Sequence, residues 1–484
     1  MTKPKLVAAI AFAAMLALAL AAAGAARAVP AFTLIDSLAI NDLSDDATVA
    51  CGNSVDGLYE PCRWTASDGF RRLGRSSVAA NGHGGGVPGL SADGNRVAST
   101  IAATDLNSTP GLWIKGSGWV ETMPPLLPDG GEIDQSYGSA WDLSRDGTTV
   151  VGLYWRPGAS DGSAHAFKWT AAGGLVGLGG QGHDSRANGV SADGSVVAGW
   201  SSQPALGNVW QPTVWDADGL TVLAATDMWC EAKAVNDAGT IVVGDSADHV
   251  NYPLPMITAT MWKRTAAGWD QFQLGVLPGT FGNAVGHATA LAVNDDGTVV
   301  AGVNAYDHYN TTGFIWTEEE GLMKASEYFA ARGVTLPPTF AIASVTAIAN
   351  DGRAFAGYGT NPLDWRAPPR SFVVSFGSAS GVPGPAAPAA APAAALVSAR
   401  PNPFSPATTL GLVVSRAGPV RVRILDARGA CVRTLHDGEL ADGAHALAWD
   451  GRDDRGRAVA SGLYRAVCTD GEGGRSARTL TLVR

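Results

Sequence analysis

Seven times along this chain a short polar turn separates two apolar runs. The copies read "LSDDATVACG" (43–52), "LSADGNRVAS" (90–99), "LSRDGTTVVG" (143–152), "VSADGSVVAG" (190–199), "VNDAGTIVVG" (235–244), "VNDDGTVVAG" (293–302) and "IANDGRAFAG" (348–357). The turn position before the second run is Ala47, Gly94, Gly147, Gly194, Gly239, Gly297 and Gly352. Asp at such a turn can accept bonds from its own backbone, and Gly takes the left-handed slot without a Cβ penalty. A second element follows each turn, a run holding Trp64, Trp113, Trp169, Trp215, Trp262 and Trp316 in one register, with Val374 in the last copy. Each unit therefore has four short β-like runs, two before and after the Asp-Gly turn and two around a second, Gly-containing turn.

Repeats of about 40–50 residues with four strands are the mark of a β-propeller. A single sheet cannot bury both faces, so the Trp and Val positions are expected to pack between neighbouring sheets rather than to hold a ligand. The run "AFTLIDSL" (31–38) reads as a fourth strand without a unit, and the seventh unit stops after its third run. Joining the two closes a ring and removes a free sheet edge. The expectation is an all-β chain: a seven-bladed β-propeller over 29–377, followed by a small Ig-like β-sandwich.

The stretch "AHAFKWTAAGGLVGLGG…ANGVSADGSVVAGWSS" (164–202) resembles the HAF-type extracellular repeats of exported bacterial proteins. The resemblance covers 31–377, is most specific in the third and fourth units, and implies a secreted repeat protein without naming a chemistry. Residues 378–397, "SASGVPGPAAPAAAPAAALV", form a Pro/Ala-rich spacer. Beyond it, 398–484 holds six short alternating runs, which predict an antiparallel sandwich. This segment resembles the Ig-like domain of flagellar hook-capping proteins and the similar C-terminal sorting domains of type IX secretion. Asn402-Pro403-Phe404, Trp449-Asp450-Gly451 and Ser461-Gly462-Leu463-Tyr464 carry that resemblance. It implies a non-enzymatic module for export or surface attachment, with a secretion machinery as partner.

Targeting agrees with that reading. Lys3 and Lys5, an apolar run from Leu6, and Ala26-Arg27-Ala28 compose a signal peptide over 1–28. No later stretch is apolar enough to span a bilayer. The protein is therefore expected to be secreted, extracellular or at the cell surface. A formal charge of −10 without a Lys/Arg cluster argues against nucleic acid. In an exported chain, Cys51 with Cys62 and Cys431 with Cys468 are candidate disulfides, with Cys230 left as a buried thiol.

No nucleophile elbow, phosphate loop or metal-binding His motif stands out, and no cofactor or metal is expected. The acidic loop "WDGRDDRG" around Asp450, Asp453 and Asp454 reads as a turn with salt bridges rather than a calcium site. His83, His183 and His287 precede their turns in loops and read as loop packing. The loops joining second and third runs are aromatic-rich, and loops on a rigid scaffold commonly bind. Tyr59, Tyr154, Trp155, Trp210, Tyr252, Tyr306, Tyr309 and Trp365 are the candidate ligand-binding residues, for a glycan or an extracellular protein. The leading expectation is a non-enzymatic binding or structural module. The alternative is a polysaccharide-active hydrolase or lyase using loop-face acids such as Asp161 and Asp307.

Overall fold

The computed structural model describes residues 30–483 apart from 57–58, 77–84, 104–106, 125, 129, 157–163, 182–183, 225–226, 250–255, 278–286, 306–310, 365, 377–393, 403, 427–430 and 472–474. The expected signal peptide thus lies outside the described residues, as does most of the expected spacer. Two compact units divide at residues 379 and 380.

In the first unit the repeat becomes seven four-stranded antiparallel sheets. The first sheet runs Leu38–Leu43, Val49–Ser54, Pro61–Thr65 and Gly69–Arg72 in spatial order. The seventh takes Ala341–Ile348, Ala354–Thr360 and Arg370–Ser375, then completes itself with the N-terminal strand Ala31–Ile35. Phe32 faces Val374 there as Phe70 faces Trp64 in the first sheet. Innermost strands pack in succession, and Ala341–Ile348 packs on Leu38–Leu43, so the propeller-like ring is closed.

The packing follows from the repeated register. Val150, Val197, Val242 and Val300 face Trp169, Trp215, Trp262 and Trp316 across their strands. In the seventh sheet the sizes are exchanged, and Phe355 faces Val374. Trp215 and Trp262 are buried, and the clusters they join draw on two sheets each. Val151 and Ala166 of the third sheet, for example, meet Val190, Val197 and Trp215 of the fourth. Each large side chain buried this way contributes about 1.5–3 kcal/mol.

The Asp-Gly turns are self-contained. Asp193 Oδ1 accepts from the Ser191 hydroxyl at 2.9 Å and the Ser195 N–H at 2.9 Å, while Val196 N–H donates to Ser191 Oγ at 3.0 Å. Asp46, Asp93, Asp146, Asp296 and Asp351 take the equivalent backbone bond. Neighbouring turns also bond to one another, as in Asp146 N–H to Ala192 O and Ala192 N–H to Asp237 O, both at 3.1 Å. A Cβ on Gly194, whose φ is +73°, would meet Thr149 Oγ1 of the preceding sheet at 2.3 Å. Ala47 holds φ +55° at the matching place in the first turn. The residue corresponding to Thr149 in the preceding, seventh sheet is Ala354, the smallest of the seven.

A second regularity shapes the channel. Six innermost strands carry a β-bulge at one equivalent step, between Ile40/Asp42, Ala140/Asp142, Ala187/Gly189, Ala232/Ala234, Ala290/Ala292 and Val345/Ala347. Opposite each bulge the second strand has Gly52, Gly152, Gly199, Gly244, Gly302 or Gly357. A Cβ there would lie about 1.9–2.1 Å from the carbonyl oxygen folded over it, as with Gly152 on Ser139 O at 1.9 Å. The second sheet has Ser99 at this position, and its innermost strand pairs only through Gly89 with Ala98 and Leu90 with Val97.

The C-terminal unit pairs a three-stranded sheet with a four-stranded one. Its first strand, Ala394–Arg400, begins inside the expected spacer because Ala394 and Leu396 bury themselves in the core. The residues that carried the resemblance converge. Trp449 packs 5.3 Å from Phe404 and 5.0 Å from Tyr464, ring centroid to centroid. Asn402 accepts from Thr481 N–H and donates to Thr479 O. Asp453 is occupied by the Arg455 and Arg457 N–H groups and the Arg457 side chain.

None of the five cysteines is in a disulfide, contrary to the disulfide expectation. Cys51 faces Arg63 and Cys62 faces Gly52, so the two thiols leave opposite faces of one sheet. Cys431 and Cys468 lie on strands separated by the intervening strand Gly418–Leu425. Two interstrand steps are about 9–10 Å, beyond a disulfide's span. Burial pushes the Cys62 thiol up to about 12 and the Cys468 thiol to about 11, so both stay protonated.

Candidate functional site

Each bulge adds one residue to the innermost strand and turns its side chain toward the axis of the ring. Asn41, Trp141, Asn188, Lys233, Leu291 and Thr346 are those residues, and all six line one axial cavity of about 320 Å³. Pro88 fills the matching place in the second sheet.

At the turn end Arg145 crosses this channel. Its guanidinium donates to Leu43 O at 2.7 Å and to Asp45, and lies 3.6 Å from Asp42 and 4.0 Å from Asp237. Burial raises the Asp42 and Asp237 carboxyls above their ordinary value despite that cation. Asp142 is pushed up to about 8, first by burial and then by the charge of Asp42. Its oxygens accept the N–H groups of Leu143 and Val190, while Asp42 accepts those of Leu43 and Leu90.

At the loop end a cation and several indoles form a continuous stack. Arg186 lies 3.7 Å over the Trp141 ring and 5.4 Å from that of Trp200. Trp200 stacks on Trp210 at 4.2 Å, and Trp229 meets Trp210 edge-on at 4.7 Å. Exposure rises along the series, from buried Trp200 to Trp229, whose surface is 55% exposed. Beneath it, Glu231 Oε2 accepts from Arg186 at 2.5 Å, Lys233 at 2.7 Å and Asn188 at 3.0 Å. Burial alone would raise the Glu231 carboxyl, but Lys233 and Arg186 outweigh it and hold the group below its ordinary value. Asp245 binds the Glu231 N–H and the Thr289 hydroxyl, and burial lifts its carboxyl to about 6.

Of the four described residues among the eight aromatics expected to bind, Trp210 enters this stack. Tyr154 is buried in the third sheet's core beside His165, because alternation along Thr149–Trp155 turns it inward. Trp155, the last residue of that strand, is half-buried, and Tyr59 is exposed with φ +45°. Tyr252, Tyr306, Tyr309 and Trp365 lie outside the described residues, as do His83, His183, Asp161 and Asp307. His287 is exposed at the start of its strand.

Trp141, Arg186, Trp229, Glu231 and Lys233 were not foreseen. A signal for the channel residues was present: each of the six stands eleven positions before its "V-x-G" or "F-x-G" or "C-G" glycine. That spacing is the length of the hairpin from the bulge, through the turn, to the glycine opposite.

Comparison with known proteins reaches the two units unequally. Residues 407–474 match the family model of the FlgD Ig-like domain. The basal-body rod modification proteins FlgD of Salmonella typhimurium and Salmonella typhi are each 41% identical over 58 residues, 12% of this chain and 25% of theirs. The chain therefore spans about a quarter of those relatives. Among solved structures, the β-propeller domain of the Trilobed protease from Pyrococcus furiosus aligns with 72% of this chain and 99% of its own, at 8% identity and TM-score 0.41. TolB from Acinetobacter baumannii aligns with 58% of this chain and 60% of its own, at 11% identity and TM-score 0.35. A fungal AA5-family alcohol oxidase in complex with copper covers 94% of this chain and 99% of its own, at 13% identity and TM-score 0.39. The strand pairing described above, rather than these distant likenesses, carries the fold assignment.

Proposed function

We propose that this protein is a non-enzymatic binding module that takes a glycan on the loop end of its propeller-like unit. In this reading the Ig-like unit serves export or surface attachment, and the protein works outside the cell. The observation that carries the binding role is the Trp200–Trp210–Trp229 stack. An indole more than half exposed, yet fixed by a stack rooted in a sheet, presents a rigid apolar face at little cost in entropy when a ligand lands on it. Sugar rings have apolar C–H faces and hydroxyl rims, which suit such a face beside Asn and Lys donors.

The competing reading, a polysaccharide-active enzyme, needs two carboxyls free to reach one bond, about 5–9.5 Å apart. Among the described residues, Glu231 is committed to three donors and Asp245 to a backbone N–H and Thr289. That favours binding without turnover.

Incubating the mature chain on a glycan array, with product analysis of each retained glycan, tests this directly. Retention that disappears in Trp229→Ala, with no product released, is the expected result. Retention of no glycan would overturn the ligand class, and turnover would overturn the non-enzymatic role.

A further inference from the structure

Glu231 offers one oxygen to two cations and an amide, and among the described residues neither Arg186 nor Lys233 has another carboxylate within ion-pair distance. Arg186 is additionally fixed against Trp141. Lys233 is a bulge residue that lines the channel, so its ammonium has donor capacity left on the channel side. The nearby Asp245 does not line the cavity, and its two oxygens are taken by Glu231 N–H and Thr289. Around the same bulge level stand Asn41, the Trp141 indole and Thr346, whose hydroxyl donates to Ile40 O at 2.8 Å and can still accept, while Asn188 spends its amide hydrogens on Glu231 and Ala232 O. The cavity, about 320 Å³, falls at the small end of ligand sites. The Trp229–Trp210–Trp200–Arg186–Trp141 series runs from the exposed platform to this ring without a break.

We infer that the channel is an acidic-sugar subsite, in which Lys233 takes the carboxylate of a terminal uronate while Asn41 and Thr346 bond its hydroxyls. This rests on the reading that the loop end binds a glycan, and it names the class of that glycan. The chain of sugars lies across Trp229 and Trp210 and ends in the channel. The acids at the turn end face Arg145, which lies against Asp42, Asp45 and Asp237, and burial and then the charge of Asp42 push the Asp142 carboxyl up to about 8.

The test is calorimetric titration of the full mature chain with trigalacturonate and with its neutral methyl ester. Losing one charge-assisted bond should weaken the ester about tenfold or more. Lys233→Gln should cost the acid a similar factor and leave the ester within about twofold, while Lys233→Arg should keep most of the acid's affinity. Trp229→Ala should weaken acid and ester alike. Equal affinity for acid and ester in the unaltered protein would overturn the subsite and leave the glycan reading standing, provided Trp229→Ala still weakens both. Absence of binding by either sugar would count against both. If Lys233→Gln fails to fold, the acid-to-ester ratio of the unaltered chain decides alone.

Discussion

The two ends of the propeller-like unit are built from the same seven hairpins and have become different kinds of surface. At the turn end the repeat is kept: Asp after Asp accepts the N–H two residues on, and adjacent turns bond to each other. At the loop end the repeat is abandoned, and one sector, from the third sheet to the fifth, gathers Trp141, Arg186, Trp200, Trp210, Trp229 and Lys233. Polar groups at the turn end spend their hydrogen bonds on the fold. At the loop end Trp229 keeps an exposed face, and Lys233 has one ammonium bond, to Glu231, with donor capacity to spare. Substitutions at the two ends should therefore separate stability from binding.

The largest expected effect is at the turn end. Arg145→Ala removes the cation that lies against Asp42, Asp45 and Asp237. Breaking a buried pair from one side leaves uncompensated charge and costs about 3–5 kcal/mol. Urea unfolding should show that loss, with glycan binding retained under conditions where the variant is folded. A change below about 1 kcal/mol would mean that the turn end is held by its backbone bonds alone.

Next in size is the bulge itself. Gly152→Ala places a Cβ 1.9 Å from Ser139 O, a backbone atom that cannot swing aside. The cost should be about 1–3 kcal/mol, with the channel disturbed in proportion. The second sheet supplies the control, since Ser99 already occupies the matching place and the strand pairing there ends at Gly89 and Ala98. Ser99→Gly should shift stability by about 1 kcal/mol or less. Thermal melting of both variants measures the difference, and equal losses would detach the glycine from the bulge.

These positions also mark how far the sequence could be read. The sheets, their number of strands and the closing pairing of Ala31–Ile35 with Arg370–Ser375 followed from a repeat that is local and periodic. The Trp positions were legible for the same reason, since each sits at a fixed distance from its turn. The stack was not, because Trp200 and Trp229 meet Trp210 through a strand neighbour and a loop that differ in every repeat. Trp200 itself is the fourth residue of Val197–Gln203 and pairs with Pro212. Tyr154 was misjudged by one step of alternation, which separates a rim residue from a core residue. The cysteines were close in sequence or in size of domain, but strand alternation in one case and an intervening strand in the other keep them apart.

A pH series tests the turn end more gently. The Asp142 carboxyl is pushed up to about 8 by burial and by Asp42, well above its ordinary value of 3.8. A raised folded-state value means that the protonated form favours folding: this contribution is full below about pH 4 and fades as the pH climbs through about 8. Melting temperature should therefore fall between about pH 5 and pH 9, and Asp142→Asn should flatten that fall while leaving a residue from Asp42, whose carboxyl is also raised. An unchanged slope in Asp142→Asn would place the titrating group elsewhere.

The smallest effect on stability belongs to the residue with the largest proposed part in binding. Trp229 is 55% exposed and makes its ring contact edge-on with Trp210. Replacing it by Ala removes little buried area, so unfolding should move by no more than about 0.5–1 kcal/mol. Its intrinsic fluorescence should nonetheless report a ligand arriving at the loop end, and Trp229→Ala should abolish that signal along with glycan retention. Should Trp229→Ala instead unfold the fifth sheet, the stack would be a structural brace like the turn end, and the contrast between the two ends would collapse.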